Sequence, residues 1–281
     1  MHPYKTQRLG FALLTLISLI IVIPILLVVG VIAVRGIKII SVEFLTTMPR
    51  KGMTEGGIFP AIVGTILLTL GTAVAALPVG IGAGIYLAEY ARESLLTRII
   101  RLAIVNLSGI PSVVYGLFGL GAFVLFLQFG TSILAGSLTL AIMTLPVIMS
   151  TTEEALRAVP VEFRTVSASL GGTKWQGIRH VVLPQALPGI ITGVILGLLR
   201  AAGETAPILF TVAAFYLPRL PRSLFDETMT LPYHLYVIST QVPHMPLDVQ
   251  YGTAFVLLVF VLSLNIVASL IRRHFRRKRE W

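Results

Sequence analysis

The sequence predicts an all-α protein, a polytopic bundle of six transmembrane helices that forms one domain over residues 1–281. The first observation behind this fold class is composition, since 56% of the residues are hydrophobic and the mean hydropathy is +0.90. The second is charge, because only 12% of the residues are charged, about half the share found in a soluble domain. The third is that apolar runs long enough to cross about 30 Å of hydrocarbon recur along the whole chain.

Six apolar runs are predicted to span the membrane, near residues 9–34, 60–87, 104–129, 133–149, 187–208 and 251–271. The first run is longer than a signal-peptide core and lacks a clear small-residue cleavage site, so we expect it to remain as a span. An even number of spans places both termini on one side of the membrane. That side carries 15 Lys and Arg residues against 6 on the other. By the positive-inside rule, the termini and the loop of residues 150–188 are cytoplasmic.

Charge and composition also bear on the possible ligands. The net charge of +10 does not indicate a nucleic-acid partner, because the basic residues flank apolar spans and no aromatic residues interleave with them. Zero cysteines exclude disulfides and thiolate metal sites. In the predicted external loop, residues 216–250, His234 has no second ligand at metal-binding spacing. We therefore expect no metal site and a surface position for His234.

Span three begins with polar residues around a proline, in the segment NLSGIPSVVYGLFGLG. Pro111 frees a backbone carbonyl that lipid would penalise, so a neighbouring helix or a wet cavity should cover it. A polar stripe is expected from Asn106, Ser108, Ser112 and Tyr115, of which Ser112 and Tyr115 are candidate pathway residues. Such a stripe fits a substrate pathway and equally fits hydrogen bonds between packed helices, so both interpretations stay open.

Span five contains Arg200 and Glu204, the two ionisable residues that we place inside the membrane. They stand four positions apart, one helical turn, so they can pair on the same face. Charges at this depth cost several kcal/mol and usually face a bundle interior or an aqueous path, although a pair that only neutralises itself for insertion is the alternative. Gly203 and Pro207 bracket Glu204, so we expect the helix to break there and to leave backbone groups available to an anion. Thr205 completes the candidate pathway residues.

The loop of residues 150–188 is predicted to fold as two short helices. Pro160 suits a first helical position, and apolar residues follow at the spacing of one helix face at Phe163, Val166 and Leu170. Gly171 and Gly172 follow as a stop. Thr173 then opens a second helix, because its oxygen can cap a backbone N–H and Gln176 can return the bond three residues on.

Two short helices split by a glycine pair resemble the EAA loop of bacterial ABC importer permeases, which docks into a groove on the ATPase subunit. Gly171, Ile178, Leu183 and Pro184 match that loop, whereas Thr165 stands at its glutamate position and Val166 at the alanine after it. The resemblance implies the following ATPase-coupling residues: Val161, Phe163, Arg164, Thr165, Val166, Leu170, Gly171 and Gly172. The alternative is an amphipathic helix that lies on the membrane surface.

A closer resemblance extends over roughly residues 60–237. Six segments look like the PstA-type permease family of bacterial phosphate ABC importers: LPVGIGAGIYLAEYA, GIPSVVYGLFGL, EEALRAVP, the stretch from GGTKW to VVLP, RAAGETAP and LPYHLYV. This resemblance implies a single permease domain with the type I importer (MetI-like) fold in the bacterial cytoplasmic membrane. It also implies four kinds of partner: a second, PstC-like permease subunit, a PstB-like ATPase dimer, a periplasmic PstS-like phosphate-binding protein, and inorganic phosphate itself. Arg200 is then the candidate for holding phosphate. Glu204 is expected either to accept a hydrogen bond from the proton of hydrogen phosphate or to restrain Arg200.

The chain lacks an ATP-binding motif, which agrees with an importer whose ATPase is a separate subunit. No G-x-x-x-x-G-K-[ST] phosphate loop occurs in it, so we expect ATP and Mg on the partner ATPase and no cofactor on this chain. No nucleophile and base stand in a plausible constellation, so we expect that it is not an enzyme. The alternatives are an ABC permease for another oxyanion, such as molybdate or sulfate, and an ion-coupled secondary anion transporter.

Overall fold

The computed structural model describes residues 3–169 and 171–277, and nearly all of its regular structure is helical. The helices are α1 (Pro3–Gly36), α2 (Val42–Thr46), α3 (Phe59–Ile85), α4 (Leu95–Ser108), α5 (Ser112–Gly119), α6 (Ile133–Arg157), α7 (Val161–Ser169), α8 (Lys174–Gly177), α9 (Leu183–Gly203), α10 (Ala206–Thr211), α11 (Leu231–Thr240) and α12 (Leu247–Arg277). Segments of π-helix continue α3 and α5 and join α8 to α9; they are Tyr86–Tyr90, Leu120–Phe126 and Ile178–Val182. A small antiparallel hairpin pairs β1 (Pro49–Arg50) with β2 (Glu55–Gly56).

Five helical stretches of the described chain are long and apolar enough to cross a membrane. They are Gly10–Ile39, Phe59–Tyr90, Ile133–Arg157, Lys174–Gly203 and Leu247–Arg273. A bent pair, Leu95–Ser108 and Ser112–Phe126, supplies a sixth if it is counted as one span. The predicted all-α membrane bundle is therefore confirmed, with five continuous spans and one bent pair.

The predicted third span is wrong in shape. Instead of one helix over residues 104–129, α4 and α5 meet at an angle of 101°. The break falls at Gly109–Pro111, where the proline has no N–H to donate and restricts the residue before it. In the sequence, Pro111 marks a local disturbance of the helix. The angle between α4 and α5, however, depends on how α4 packs against α6.

The centre of the bundle is formed by α3, α6 and α9, which approach closely at glycines. On α3, a Cβ added to Gly80 would lie 2.7 Å from Cγ2 of Ile148, and one on Gly84 would lie 2.6 Å from Cβ of Thr152. Small residues at such crossings let helix backbones approach in a membrane protein, where packing rather than water drives association.

The helices α6 and α9 run antiparallel along a ladder of close contacts. Gly189 faces Ala155, Gly193 faces Thr151, and Gly197 faces Ile148 and Thr144. One further turn of α9 brings Arg200 level with about Thr144, which is buried near the middle of α6. Arg200 therefore lies about midway along α6.

The predicted loop of residues 150–188 is shorter than expected. The helix α6 continues to Arg157, and the second predicted helix is the start of one continuous stretch, Lys174–Gly203. The capping box forms as predicted, with Thr173 and Gln176 exchanging both bonds. The chain stays helical through Pro184 because a π-helical segment directly before the proline shifts the hydrogen-bond register where its N–H is missing.

The predicted external loop, residues 216–250, contains a buried helix. The first residue of α11, Leu231, donates its backbone N–H to Oγ1 of Thr65 at 2.8 Å, which ties α11 to α3. His234 is only 2% exposed, so the expected surface position is wrong. Burial lowers the pKa of His234 to about 4, because the charged imidazolium would lose its hydration there.

The first span contrasts with the others because none of its membrane-length window is buried. Its close contact is with α12 at its far end, where a Cβ on Gly36 would meet Tyr251 and Phe255 at 2.5 Å. Arg35 donates to the Tyr251 hydroxyl at 3.3 Å from the same end. The apolar faces of this helix are therefore left to lipid or to a neighbouring subunit.

Candidate functional site

The candidate pathway residues of span five lie at a helix break. The helix α9 ends at Gly203, Glu204 has extended backbone angles of φ −73° and ψ 141°, and α10 begins at Ala206. Pro207 explains the break, because it lacks the N–H that would bond the carbonyl of Gly203 in a continuous helix. Thr205 is half-buried within the gap.

Arg200 and Glu204 form an ion pair across this break. Nε of Arg200 lies 3.4 Å from Oε1 of Glu204, and the two side chains are 34% and 17% exposed. Within the described part of the chain, the carboxylate reaches the guanidinium through Nε alone. Both terminal nitrogens of Arg200 are therefore left to donate to another acceptor, and the side chain is open enough to meet one.

Tyr115 contributes a hydrogen bond across the proline break in span three. Its hydroxyl donates to the carbonyl oxygen of Leu107 at 2.8 Å. That carbonyl is the one that an N–H at position 111 would bond in a continuous helix, and Pro111 has none. The same carbonyl also accepts from the N–H of Ile110 at 3.2 Å. It is thus satisfied within the same predicted span, whereas a neighbouring helix or a wet cavity had been expected. Tyr115 is buried, yet close enough to Arg200 for an electrostatic interaction.

The two helix breaks are brought together by packing between α5 and α10. A Cβ on Gly116 would lie 2.8 Å from Cδ2 of Phe210 and 3.0 Å from Cα of Pro207. Ser112, half-buried at the start of α5, belongs to the same region. The predicted polar stripe does not assemble as a whole, because Asn106 and Ser108 lie on α4, beyond the 101° bend, and are exposed.

The second candidate site is α7. It lies at the end of the bundle that carries Arg101, Arg157 and Arg164, which we call the basic end. The residues predicted to couple to an ATPase divide into two sets there. Val161 and Thr165 are exposed on the outer face of α7, and Val161 is 65% exposed. Phe163 and Arg164 point inward and are half-buried. The outer face is therefore available to a partner, whereas the inner face attaches α7 to the bundle.

The predicted glycine stop after α7 forms as expected. Gly171 has φ +75°, and the N–H of Gly172 donates to the carbonyl of Ser167 at 3.0 Å, which is the 6→1 bond of a Schellman motif. A Cβ on Gly172 would also lie 2.8 Å from Oγ of Ser167. The side chain of Val166 and the whole of Leu170 lie outside the described residues.

Arg164 makes an ion pair that the sequence did not indicate. Its Nη2 lies 2.9 Å from Oε1 of Glu89, whose side chain is only 6% exposed. The same guanidinium donates to the carbonyls of Val159 at 2.6 Å and Leu156 at 2.8 Å. Glu89 lies in the π-helical segment Tyr86–Tyr90, which continues α3 and which we call the end of α3. It is 75 positions from Arg164, so only the tertiary fold brings the two together.

A second ion cluster lies beside the first and joins α4 to α6. Glu153 accepts from Arg101 at 2.8 Å and from Arg157 at 3.0 Å. Glu93 contacts Arg101 at 3.1 Å, and this bond holds the pKa of Glu93 below its usual value. Among residues 3–169 and 171–277, no group of three or more His, Asp or Glu side chains is placed to hold a metal.

These features define a class before any relative is considered: a helix-bundle membrane permease, with an arginine at a helix break about midway along α6 and a short helix presented at one end. The chain belongs to the family described as binding-protein-dependent transport system inner membrane component, whose model matches residues 80–281. It is therefore a multi-pass inner-membrane permease of an ABC importer. This family implies an ATPase and a binding protein as partners, and it is a family of membrane subunits rather than of enzymes.

The most informative relatives include three bacterial permeases. The chain is 34% identical to the probable ABC transporter permease protein YqgI of Bacillus subtilis, over 95% of each chain. It is 35% identical to the phosphate transport system permease protein PstA of Xylella fastidiosa, over 96% of each chain. PstA 1 of Mycobacterium tuberculosis is also 35% identical, over 80% of this chain and 73% of its own length.

Solved structures give the same fold. An inward-facing structure of the MetNI methionine ABC transporter matches with a TM-score of 0.63 and 18% identity, over 76% of this chain and 94% of its own. A crystal structure of an amino acid ABC transporter with histidines matches with a TM-score of 0.55 and 18% identity, over 76% of this chain and 92% of its own. At this identity the likeness shows the fold alone.

Proposed function

We propose that this protein is the permease subunit that carries inorganic phosphate across the cytoplasmic membrane in an ATP-driven importer. The observation that carries the proposal is the Arg200–Glu204 pair, which lies at a helix break level with the middle of α6 and leaves the terminal nitrogens of Arg200 unused by Glu204. The phosphate-transport names of two relatives that are 35% identical supply the substrate.

Arg200 fits the handling of a tetrahedral oxyanion. A bare anion does not enter hydrocarbon, so the pathway must supply a cation, and a guanidinium offers two parallel N–H groups to a pair of oxygens. Glu204 either accepts a hydrogen bond from the proton of hydrogen phosphate or restrains Arg200. The first role would favour phosphate over sulfate, because fully ionised sulfate has no proton to donate.

The partners follow from the same proposal. A PstC-like second permease supplies the other wall of the pathway, a PstS-like protein delivers phosphate, and a PstB-like ATPase dimer with ATP and Mg drives the cycle. The basic end is cytoplasmic, which agrees with the 15-to-6 distribution of Lys and Arg. The exposed face of α7, with Val161 and Thr165, docks on the ATPase, so that closure of the ATPase dimer moves α7.

A permease for another oxyanion is the remaining alternative, since YqgI bears a name without a substrate. An ion-coupled secondary transporter is disfavoured, because the family works with a binding protein.

Uptake into vesicles that hold the reconstituted complex tests the proposal. We expect labelled phosphate to enter only with ATP, the ATPase subunit and the binding protein, and arsenate to compete while sulfate and molybdate do not. Uptake of sulfate or molybdate in preference to phosphate would contradict the assigned substrate. Uptake driven by an ion gradient without ATP would contradict the mechanism.

A further inference from the structure

We propose that Glu89 and Arg164 are positioning residues that fasten the docking helix α7 to the end of α3, so that the two move as one body during transport. This inference rests on the proposed function, because it describes how motion of α7 reaches the spans. The observation behind it is the ion pair at 2.9 Å between these side chains, of which Glu89 is buried and Arg164 is half-buried.

Both terminal nitrogens of Arg164 make hydrogen bonds that attach α7. Nη1 donates to the carbonyl of Val159, and Nη2 donates both to the carbonyl of Leu156 and to the carboxylate of Glu89. The two carbonyls belong to the end of α6 and the turn after it, so one guanidinium joins α7, α6 and α3. A planar fork that serves three fixed acceptors holds a single orientation.

Glu89 is held in this attachment by its burial and by contacts with two basic residues. Its side chain is 6% exposed, so its charge depends on Arg164 for compensation. Lys174, the first residue of α8, donates to the backbone carbonyl of Glu89, and its ammonium lies 4.9 Å from the centre of the Tyr90 ring. The end of α3 is therefore held between the helices that precede and follow the Gly171 turn.

Within the described part of α7, a second contact attaches the helix to the bundle. Phe163 packs against a small apolar cluster that includes Leu156, Val159 and Val182. Between α7 and the start of α8 lies a cavity of about 300 Å³, lined in part by Arg164 and Ser167. Among the described residues, the inner face of α7 therefore joins the bundle through Phe163 and through the Arg164 ion pair, and the ion pair is the contact that reaches Glu89.

The end of α3 is well placed to pass on movement of α7. From Glu89 the helix runs back along α6 through the close contacts at Gly84 and Gly80 and reaches α11 at Thr65. Displacement of its end is therefore passed to the centre of the bundle. Since packed interiors shift between discrete arrangements, a firm attachment at Glu89 converts movement of α7 into movement of the spans.

Glu89→Gln in the assembled complex tests the attachment, with Glu93→Gln as the matched control. Glu93 makes the same change of charge four positions on, but its side chain is 78% exposed. We expect Glu89→Gln to lower phosphate uptake per ATP hydrolysed by about tenfold while the complex still hydrolyses ATP. Glu93→Gln should stay within about twofold of the unaltered complex. Equal uptake per ATP in Glu89→Gln and the unaltered complex would overturn the proposal.

A covalent substitute for the ion pair separates attachment from folding. The chain has no cysteine, so Glu89→Cys with Arg164→Cys gives one pair of thiols that a short bis-maleimide can join. We expect the unjoined variant to assemble with low uptake per ATP and the joined one to recover. Three outcomes would each overturn the proposal. Loss of activity on joining would show that the contact must open, and failure to join would show that the residues are apart. Full activity without joining would show that the pair is dispensable. If the unaltered complex moves no phosphate with ATP, the proposed function has failed instead.

Discussion

The carbonyl oxygen of Ser167 accepts a hydrogen bond of 3.0 Å from the N–H of Gly172, across a left-handed turn at Gly171. This bond ends α7 and sets the direction of the next helix. Gly171 provides the positive φ of 75°, and Gly172 leaves room for Oγ of Ser167. The orientation of the exposed face of α7 therefore depends on two glycines with different structural roles.

Gly171→Val with Gly172→Val should weaken retention of the ATPase on the purified permease pair. A β-branched residue at positive φ costs about 1–2 kcal/mol, and the second Cβ would clash with Ser167. Gly82→Val is the control, because nothing lies within 4 Å of a Cβ there. Co-purification measures the effect, and full retention of the ATPase with normal uptake would remove α7 as its docking site.

The described bundle and its caps were predictable where the signals are local. Thr173 and Gln176 stand three residues apart, so their capping box follows from the sequence alone. The break at Glu204 was likewise marked by Gly203 and Pro207. Local patterns of this kind act within one or two turns and need no knowledge of the fold.

Contacts between distant segments were not predictable. Glu89 and Arg164 are separated by 75 positions, and no periodicity links them. The segment that contains His234 was assigned to a loop because it was treated as a connection between spans, yet it folds as α11 and is buried against α3. In both cases tertiary packing, which a single sequence does not display, decides the position.

The orientation of the bundle can be tested by labelling single cysteines in this cysteine-free chain. Glu154 is exposed at the basic end, and Leu224 is 59% exposed at the opposite end. In intact cells whose outer membrane is permeable to it, an inner-membrane-impermeant maleimide should label Leu224→Cys. Glu154→Cys should react only after the inner membrane is opened. Labelling of Glu154→Cys in intact cells would reverse the orientation that the basic residues predict.

The ladder between α6 and α9 predicts sensitivity to a single methyl group. A Cβ on Gly193 would overlap Oγ1 of Thr151. Gly193→Ala should therefore lower stability by about 1–3 kcal/mol, seen as a lower Tm of the purified complex. Thr151→Ala in the same chain should restore part of the loss, and Gly82→Ala should change little. An unchanged Tm for Gly193→Ala would show that the two helices separate easily.

His234 should make stability depend on pH. Its pKa is lowered by burial to about 4, whereas in the unfolded chain it is about 6.5. Between these values the unfolded chain binds the proton and the folded chain does not, so the free energy of unfolding falls as pH decreases from 6.5 towards 4. Above pH 6.5 the contribution is complete.

The effect of His234 is measured as the change in Tm between pH 7 and pH 5. His234→Gln should show a smaller decrease than the unaltered protein, because glutamine does not titrate. His244→Asn is the control, since His244 is exposed at a φ of +56° that asparagine tolerates. Identical decreases for His234→Gln and the unaltered protein would show that His234 is not buried as described.

Phosphate uptake by Arg200→Leu with Glu204→Leu tests the central claim most directly. Replacing a buried ion pair by apolar side chains is often neutral for stability, so this variant should insert and assemble. If the pair handles phosphate, the assembled variant should take up none, and Arg200→Lys should recover only part, because an ammonium lacks the planar fork. The control is Lys51→Leu with Glu55→Leu, an i,i+4 pair with side chains 72% and 56% exposed, which should transport normally. Near-normal uptake by the assembled Arg200→Leu, Glu204→Leu variant would contradict the account and leave the pair a structural one.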